Sequence, residues 1–402
     1  MNINRVLSLF LLVSILLSGC ATLEAGIETA TTDQLATATV ALVGAVDTPS
    51  ESVPPTDTPP AADPATSTPM PESSPQPTPS SPYAGLVYRL ADELFRLDSA
   101  GQPVAIAPGV DPQILPGQYT PRATVSHDGK QMLSWWDWAD LWLVDLTTGQ
   151  SRNLTNTPGS DECCAQFWPA RPDTVVFLTR STSDGLSYNM AAVNVDGSNY
   201  RILDQANPLF GLPALSPDGN ILAYDAPSGP LLYRWDVGSE PFNPAGYDQP
   251  LSELTGPAWT PSGRSLSWMT GGSAPGSLTI FDLQESTHLA LHPHQPVAGE
   301  GGLLPPVWSP DGSWVAIFDH SLETPGVWVA RPDGSGEMRA YQAGTVRSVL
   351  GLQAFWSPDA QRLLVADPNA EGGTLLTLLN LISGQSEASP LPVGAIPLAW
   401  VR

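Results

Sequence analysis

A short motif recurs through most of this 402-residue chain and constrains its fold more than any other feature. Its clearest copy is Val307-Trp308-Ser309-Pro310-Asp311-Gly312. The large apolar residue that heads each copy stands at positions 125, 168, 215, 259, 308, 356 and 400, which gives spacings of 43, 47, 44, 49, 48 and 44 residues. A period in the forties that contains only strand and turn signals is typical of a β-propeller, in which each repeat forms one blade.

The motif reads as a strand, a tight turn and a second strand. Proline presets φ for the first turn position, aspartate accepts hydrogen bonds from its own backbone, and glycine takes the position with positive φ. The flanking tryptophan and β-branched residues favour buried, pleated surface. Turn aspartates such as Asp218 and Asp311 are therefore predicted to build structure rather than to catalyse a reaction.

The strand signals predict seven blades. Six complete units begin near residues 124, 167, 213, 257, 306 and 354. Three further strands are predicted before them, at 85–90, 93–98 and 102–107, and one after them, at 396–402. We expect an all-β, seven-bladed propeller closed by pairing of the C-terminal strand with the three N-terminal strands, because closure removes exposed sheet edges. The apolar run 375–382 leaves strand and helix open.

Several segments resemble the WD40-like repeats, of the PD40 type, that build TolB-type β-propellers. They are Leu141-Trp142-Leu143-Val144-Asp145-Leu146-Thr147-Thr148-Gly149-Gln150, the turn Asn194-Val195-Asp196-Gly197-Ser198-Asn199, and the Trp-Ser-Pro-Asp-Gly turns. The resemblance covers essentially all of 83–402 and implies the fold rather than a function. TolB itself pairs a six-bladed propeller with a separate amino-terminal domain. The seven units expected here depart from that pattern, so TolB's role in an envelope complex does not carry over.

Residues 1–19 are predicted to be a signal peptide. Arg5 supplies the positive start, and the apolar stretch 6–17 is twelve residues long, whereas a membrane-spanning helix needs about 20. The segment Leu17-Ser18-Gly19-Cys20 resembles the lipobox of bacterial lipoproteins. The resemblance implies a diacylglyceryl group on Cys20, which anchors the protein outside the cytoplasm, at the cell membrane or the outer membrane. The alternative is an ordinary signal peptide with an incidental cysteine.

Residues 20–82 are predicted to be a disordered stalk between the lipidated cysteine and the propeller at 83–402. An Ala/Thr-rich part is followed by residues 47–82, which contain 12 prolines in 36 positions. Such a segment buries too little apolar surface to fold, and proline favours an extended, semi-rigid spacer. A ligand role for the proline motifs and glycosylation of the Ser/Thr positions stay open.

The charge of the chain restricts its partners. With 16 Lys+Arg against 40 Asp+Glu, the formal net charge is −24, which argues against nucleic acid. An envelope protein, a peptide or a glycan remains. The strongest candidate contact is the cluster Trp135, Trp136, Asp137 and Trp138, predicted in a loop between second and third strands. Aromatic faces beside an acid suit a sugar or a cationic ligand. The alternative is that some of these rings pack between blades.

Two further clusters invite chemistry. Cys163 and Cys164 are predicted in the loop that leads into a blade, where an oxidising compartment makes a disulfide between neighbours plausible. Free thiols or a metal site are the alternatives. His288, His292 and His294 are predicted at a fourth strand and the loop after it, and a metal site would need them to converge. A polar loop is the simpler interpretation of these histidines.

The sequence contains no nucleophile elbow, no His-Glu-x-x-His motif and no phosphate-binding loop. We therefore expect no enzyme activity and no cofactor. The predicted function is a non-catalytic binding or scaffold module held at the membrane by Cys20. The alternative is a propeller-type hydrolase or lyase that acts on extracellular polysaccharide, with carboxylates placed around the central channel.

Overall fold

Seven four-stranded antiparallel sheets make up this protein in the computed structural model. The structure describes residues 81–107, 110–115, 123–135, 140–183, 188–205, 213–244, 247, 251, 254–270, 277–291, 304–319, 325–343, 351–367 and 374–401. Cys20 and the predicted signal peptide and stalk lie outside these residues, apart from Ser81 and Pro82. The domain boundaries at 19/20 and 82/83 therefore stay predictions.

Each sheet is one blade, and its strands follow one another in the sequence. The chain begins with β1 (Leu86–Leu90), β2 (Glu93–Leu97) and β3 (Pro103–Ile106) of blade 1, followed by a 3-10 turn at Pro112–Ile114. Blade 2 contains β4 (Ala123–Val125), β5 (Gln131–Ser134), β6 (Trp142–Asp145) and β7 (Ser151–Asn153). Blade 3 contains β8 (Ser160–Trp168), β9 (Arg171–Ser181), β10 (Asn189–Asn194) and β11 (Arg201–Asp204).

The remaining blades repeat this order. Blade 4 contains β12 (Ala214–Leu215), β13 (Ile221–Tyr224), β14 (Leu231–Arg234) and β15 (Gly238–Pro241). Blade 5 contains β16 (Leu254–Trp259), β17 (Ser265–Thr270), β18 (Leu278–Asp282) and β19 (Thr287–Leu291). Blade 6 contains β20 (Val307–Trp308), β21 (Val315–Asp319), β22 (Gly326–Ala330) and β23 (Glu337–Gln342). Blade 7 contains β24 (Gln353–Trp356), β25 (Arg362–Asp367), β26 (Leu375–Asn380) and β27 (Gln385–Glu387).

The strand β28 (Ile396–Trp400) completes blade 1 by pairing with β1, in the sheet order β28-β1-β2-β3. This confirms both the seven blades and the closure predicted from the sequence. The crossing is tight: a Cβ on Gly85, which has φ +84°, would lie 1.8 Å from the backbone oxygen of Val401. Glycine is therefore required where the first and last strands of the ring meet. The ambiguous run 375–382 begins with the strand β26.

The first strand of each blade lies at the centre of the ring. Strand β28 contacts β4, β4 contacts β8, and the contacts continue from β12 to β16, β20, β24 and back to β28. Between β8 and β12 the link is a hydrogen bond from the Gln166 side chain to the Pro213 carbonyl. None of the described residues forms a helix long and apolar enough to cross a membrane.

The recurring tryptophans join neighbouring blades, which explains why the repeat keeps them. The indole N–H of Trp259 donates to the Ala214 carbonyl at 3.0 Å, and that of Trp356 donates to Val307 at 2.8 Å. Trp168 donates to the Gly219 carbonyl of blade 4 at 2.5 Å. Each ring thus buries apolar area and satisfies its polar atom on another blade.

The Ser-Pro-Asp turns have the structural role predicted for them. Asp218 accepts hydrogen bonds from the Ser216 hydroxyl at 2.5 Å and from the Asn220 N–H at 3.1 Å. The same pair of contacts recurs at Asp128, Asp311 and Asp359. These turns, with those between third and fourth strands, form one end of the propeller, which we name the turn face. The opposite end, where the other connections run, is the loop face.

Candidate functional site on the loop face

Blade 3 differs from the other blades in the length of its inner strands. Strand β8 has nine residues and β9 has eleven, whereas the first strands of the other blades have two to six. Their pairing continues from Trp168 opposite Arg171 to Ser160 opposite Ser181. The N–H of Thr182 then donates to the Gly159 carbonyl at 2.9 Å. The paired strands of blade 3 therefore extend further toward the loop face than the inner strands of the other blades do.

Cys163 and Cys164 lie within this ladder and are bonded to each other, with their Cα atoms 3.7 Å apart. Their predicted position in a loop is wrong, because both belong to β8 and are buried. Cys164 has φ +63°, and the pairing register shifts between Cys163 and Gln166. Such a β-bulge re-aims the strand locally. The disulfide thus sits where β8 changes direction.

A buried ion pair fixes the loop-face end of the same ladder. Asp161 and Arg180 are directly opposite each other, with Nε and Oδ2 separated by 3.1 Å. Their side chains are only 6% and 5% exposed. The guanidinium also lies 5.0 Å from the ring centroid of Tyr188. Removing two charges from water is costly, so a buried pair is more useful for fixing one geometry than for stability.

Glu162 ties blade 3 to blade 2. It is 1% exposed and accepts hydrogen bonds from the hydroxyls of Thr155, at 2.7 Å, and Thr157. The Thr157 N–H donates to Asp140 at 2.9 Å, so one threonine contacts two carboxylates. Burial raises the pKa of Glu162, although the two threonines oppose the rise. The cluster holds the connection between blades 2 and 3 against β8.

Trp135 is in the core. It is 7% exposed and packs in the hydrophobic cluster that contains Cys163, Cys164 and Trp168. This agrees with the alternative interpretation that some of these rings pack between blades, so Trp135 is not included among the ligand contacts proposed below. Trp136, Asp137 and Trp138 lie outside the described residues. They connect Trp135 to Asp140 in the sequence, so both ends of their loop are anchored at blades 2 and 3.

Of the three histidines singled out in the sequence, only His288 is among the described residues; His292 and His294 lie outside them. His288 is in β19, the fourth strand predicted for it, and its ring centroid lies 5.4 Å from that of Tyr247 and 6.0 Å from that of Phe281. Its contacts are those of a packing residue. Across the described parts of the chain, no three His, Cys, Asp or Glu side chains are grouped to hold a metal ion.

Carboxyls at the ends of second strands were not identified from the sequence: Asp319 and Asp367 are buried, and Asp225 is half-buried. Asp225, after β13, accepts hydrogen bonds from the Gly256 N–H at 2.8 Å and the Trp268 indole at 3.1 Å. Burial raises its pKa to about 6. Asp319 and Asp367 end β21 and β25 and accept from Trp328 and Tyr341. The signal was present as an acid that follows an apolar strand at each of these positions.

Comparison with known proteins identifies the fold and no family. The sequence matches no protein-family model and no curated protein. An oligogalacturonate lyase in complex with manganese is 17% identical, with a TM-score of 0.54 over 72% of this chain and 82% of that chain. The lyase from Vibrio parahaemolyticus is 13% identical, with a TM-score of 0.53 over 73% and 84%.

TolB from Acinetobacter baumannii is 15% identical, with a TM-score of 0.47 over 66% of this chain and 65% of that chain. Identities this low show a shared fold alone. The propeller architecture predicted from the repeats is confirmed by the seven four-stranded sheets and by the two lyases, whose TM-scores exceed 0.5.

Proposed function

We propose that this chain is a lipid-anchored, extracytoplasmic binding protein that captures a glycan on the loop face of blades 2 and 3, without catalysing its cleavage. The anchor is Cys20, within the lipobox-like segment that follows the predicted signal peptide. The stalk to residue 82 gives the propeller reach from the membrane. The ligand contacts are Trp136, Asp137 and Trp138.

One observation carries the location of the binding site: the extended ladder of blade 3. A loop binds tightly when little freedom is lost on binding, and a rigid support reduces that loss. Here the support is β8 and β9, fixed by the Asp161–Arg180 pair and by the Glu162 cluster, which includes Asp140, the first described residue after Trp138 in the sequence. The other described blades have shorter inner ladders, so this position is the one built differently.

The choice of a glycan follows from the chemistry of the loop. Trp136, Asp137 and Trp138 contribute two indoles and one carboxylate to this segment; indoles suit the C–H groups of a sugar, and a carboxylate accepts hydrogen bonds from its hydroxyls. Trp135, which precedes this segment in the sequence, is buried in the core. A net charge of −24 makes anionic partners unfavourable at long range, which favours neutral or amine-bearing sugars.

The alternative is an enzyme that cleaves extracellular polysaccharide. Asp140 and Glu162 share the Thr157 side chain, and burial raises the pKa of Glu162. A carboxylate beside a carboxyl of raised pKa is the pairing used in glycoside hydrolysis. Glu162 is only 1% exposed, however, and its contacts hold two blades together. Binding without cleavage is therefore the function we favour.

The test is binding of the full chain, purified in detergent, to an array of cell-wall and extracellular polysaccharides. The loop variant is Trp136→Ala/Trp138→Ala. Two lost stacking contacts, at about 1 kcal/mol each, lower affinity about 30-fold. The matched control is Val237→Ala/Ile382→Ala, which removes two apolar side chains that are 62% and 76% exposed at turns of the turn face.

Binding that is lost in the loop variant and kept in the control supports the proposal. Equal binding by the loop variant would move the ligand away from blades 2 and 3. If wild type cleaves a polysaccharide and Glu162→Gln does not, the protein is an enzyme and the non-catalytic proposal is wrong. A wild-type protein that neither binds nor cleaves any arrayed glycan would overturn the glycan proposal.

A further inference from the structure

Two arginines converge on one tryptophan between blades 3 and 4, on the turn face. Blade 3 supplies Arg171, which begins β9, and Arg201, which begins β11. Blade 4 supplies Trp235, in the turn between β14 and β15. The guanidinium carbons of Arg171 and Arg201 lie 4.0 Å and 4.4 Å from the Trp235 ring centroid. The cluster therefore joins two blades through two cation–π contacts.

The local sequence of blade 3 creates this cluster. Where blades 4 and 6 have Ser-Pro-Asp-Gly, blade 3 has Pro169-Ala170-Arg171, and this arginine begins β9. Trp168 is packed edge-on against Trp235, with ring centroids 4.7 Å apart, and its N–H is held by Gly219. The Trp168 ring thus holds the Trp235 ring in place. The two arginines therefore stack on a rigid aromatic surface.

Arg171 and Arg201 lack the acidic partners that several other arginines have. Arg264 and Arg362 each lie within 3.1 Å of a carboxylate, and Arg234 lies 3.9 Å from one. Within the described residues, neither Arg171 nor Arg201 has a carboxylate within the 4.0 Å of an ion pair. This is informative in a chain with 40 acids and 16 basic residues. Two like charges on one ring also repel each other, which an anion between them would relieve.

The donors of the two guanidinium groups are mostly free to bind a ligand. Stacking uses the face of the guanidinium and leaves its N–H groups in the plane of the fork. Arg201 donates one N–H to the Asn199 carbonyl at 3.0 Å. Burial raises the pKa of the nearby Tyr233, and both arginines oppose that rise, which places this phenol in the field of both charges.

We propose that Arg171 and Arg201, held on Trp235, form a binding site for an oxyanion, the carboxylate or phosphate group of an acidic ligand. Two guanidinium forks match the oxygen geometry of either group, and charge-assisted hydrogen bonds are about twice as strong as neutral ones. Of the nearby acids, Asp204 raises the pKa of Tyr233 while the two arginines lower it, and charges further than about 8 Å from the site are screened at physiological salt. The site is on the opposite face from the glycan site and does not depend on it.

Calorimetric titration of the full chain with inorganic phosphate and, separately, with glucuronate tests this site and distinguishes the two anions. Arg171→Gln/Arg201→Gln is expected to weaken binding about 30-fold or more, because two charge-assisted contacts are lost. Arg171→Lys/Arg201→Lys keeps the charge and loses the forks, so its affinity is expected to fall between wild type and the Gln variant. The matched control is Arg331→Gln, a single arginine 4.4 Å from the Trp314 ring.

Binding of either probe that is lost in the Gln variant and retained in Arg331→Gln supports the site, and the probe that binds names the anion. Failure of both probes to bind wild type with a Kd below about 10 mM would overturn the proposal. Unchanged binding in a folded Gln variant would overturn it as well. The Trp136→Ala/Trp138→Ala variant is expected to bind the anion as wild type does, which separates this result from the glycan test.

Discussion

The two faces of the propeller treat their carboxyl groups in opposite ways. On the turn face, hydrogen bonds from neighbouring residues hold the pKa of aspartates below the usual value at positions 128, 145, 196, 218, 282, 311 and 333. On the loop face, burial raises the pKa of Glu162 and Asp225. One face stabilises its negative charges with local donors, and the other buries acids at a cost.

This difference distinguishes contacts that repeat in the blades from contacts that are particular to one blade. Asp218 finds its partners two residues away, so the turn repeats wherever the motif repeats. Asp161 and Glu162 find theirs in other strands or blades, and blade 3 alone combines such contacts with a disulfide and a lengthened ladder. Arrangements that cost folding free energy, such as buried charges, persist only where the surrounding structure holds them in place, and they cluster at functional sites. The loop face of blade 3 fits that description.

The largest effect is expected from breaking the buried ion pair. Asp161→Ala leaves Arg180 without this partner in a site where it is 5% exposed, and should lower the free energy of unfolding by about 3 to 5 kcal/mol. Urea denaturation of the full chain measures it. Arg234→Ala is the control, because Arg234 and Glu240 are 44% and 55% exposed and 3.9 Å apart, so no resolvable change is expected. Equal losses in both variants would remove the distinction between the faces.

A smaller loss is expected where two blades touch on the turn face. A Cβ on Gly219, which has φ +67°, would lie 2.5 Å from atoms of Ala170, whereas one on Gly238, at φ +98°, meets nothing within 4 Å. Gly238→Ala therefore costs about 1 kcal/mol from the backbone alone, and Gly219→Ala a further 1 to 3 kcal/mol from overpacking. Thermal melting compares the two. Similar melting temperatures would show that the turns of blades 3 and 4 are not in tight contact.

The smallest effect, and the most specific, is in the pH dependence. Asp225 has a pKa of about 6 when folded, above its unfolded value of about 3.9, so the folded state binds a proton first as the pH falls. Its contribution to stability then rises between pH 7 and pH 4, on the order of 2 to 3 kcal/mol. Asp225→Asn should lose that rise relative to wild type, measured by urea denaturation at each pH.

Asp218→Asn is the matched control for this pH series. The pKa of Asp218 is lowered by folding, so its stabilisation is present above its unfolded value and is lost as the pH falls through the folded value. The deficit of Asp218→Asn relative to wild type should therefore be constant from neutral pH down to about pH 5 and should disappear only in acid. If both variants follow wild type in parallel over the whole range, the contrast in carboxyl environments between the faces is wrong.

The sequence predicted those parts of the molecule that depend on short-range patterns. The spacing of the motif gave seven blades, the turn residues gave the role of Asp218, and the strand remnants gave the pairing of β28 with β1. The strand predicted at 85–90 is found at Leu86–Leu90. These features repeat, and each copy contains its own hydrogen-bond partners, so pattern alone was sufficient.

The site could be predicted only in part, because its contacts are distant in the sequence. The polar run Ser160-Asp161-Glu162 read as a loop, since its partners Arg180 and Thr155 are not visible in a local pattern. That run placed the two cysteines in the wrong element. The surface and core interpretations of Trp135 both stayed open, because its core partners Cys163 and Trp168 are distant in the sequence. The Arg171 cluster had a signal: the turn at 169–171 departs from the motif, and the departure placed an arginine beside a tryptophan of the next blade.

Closure of blade 1 also sets the order in which this protein folds. The Trp400 indole donates to the Ala84 carbonyl across 316 positions of sequence, at 3.2 Å. At about 5 to 20 residues per second of synthesis, β1 waits on the order of 15 to 60 seconds for β28 to emerge. During that time the inner edge of blade 1 is an unpaired strand, the surface most prone to pair with another chain. Blade 1 is thus the first blade to begin and the last to be completed, because the ring closes only after residues 396–400 have been synthesised.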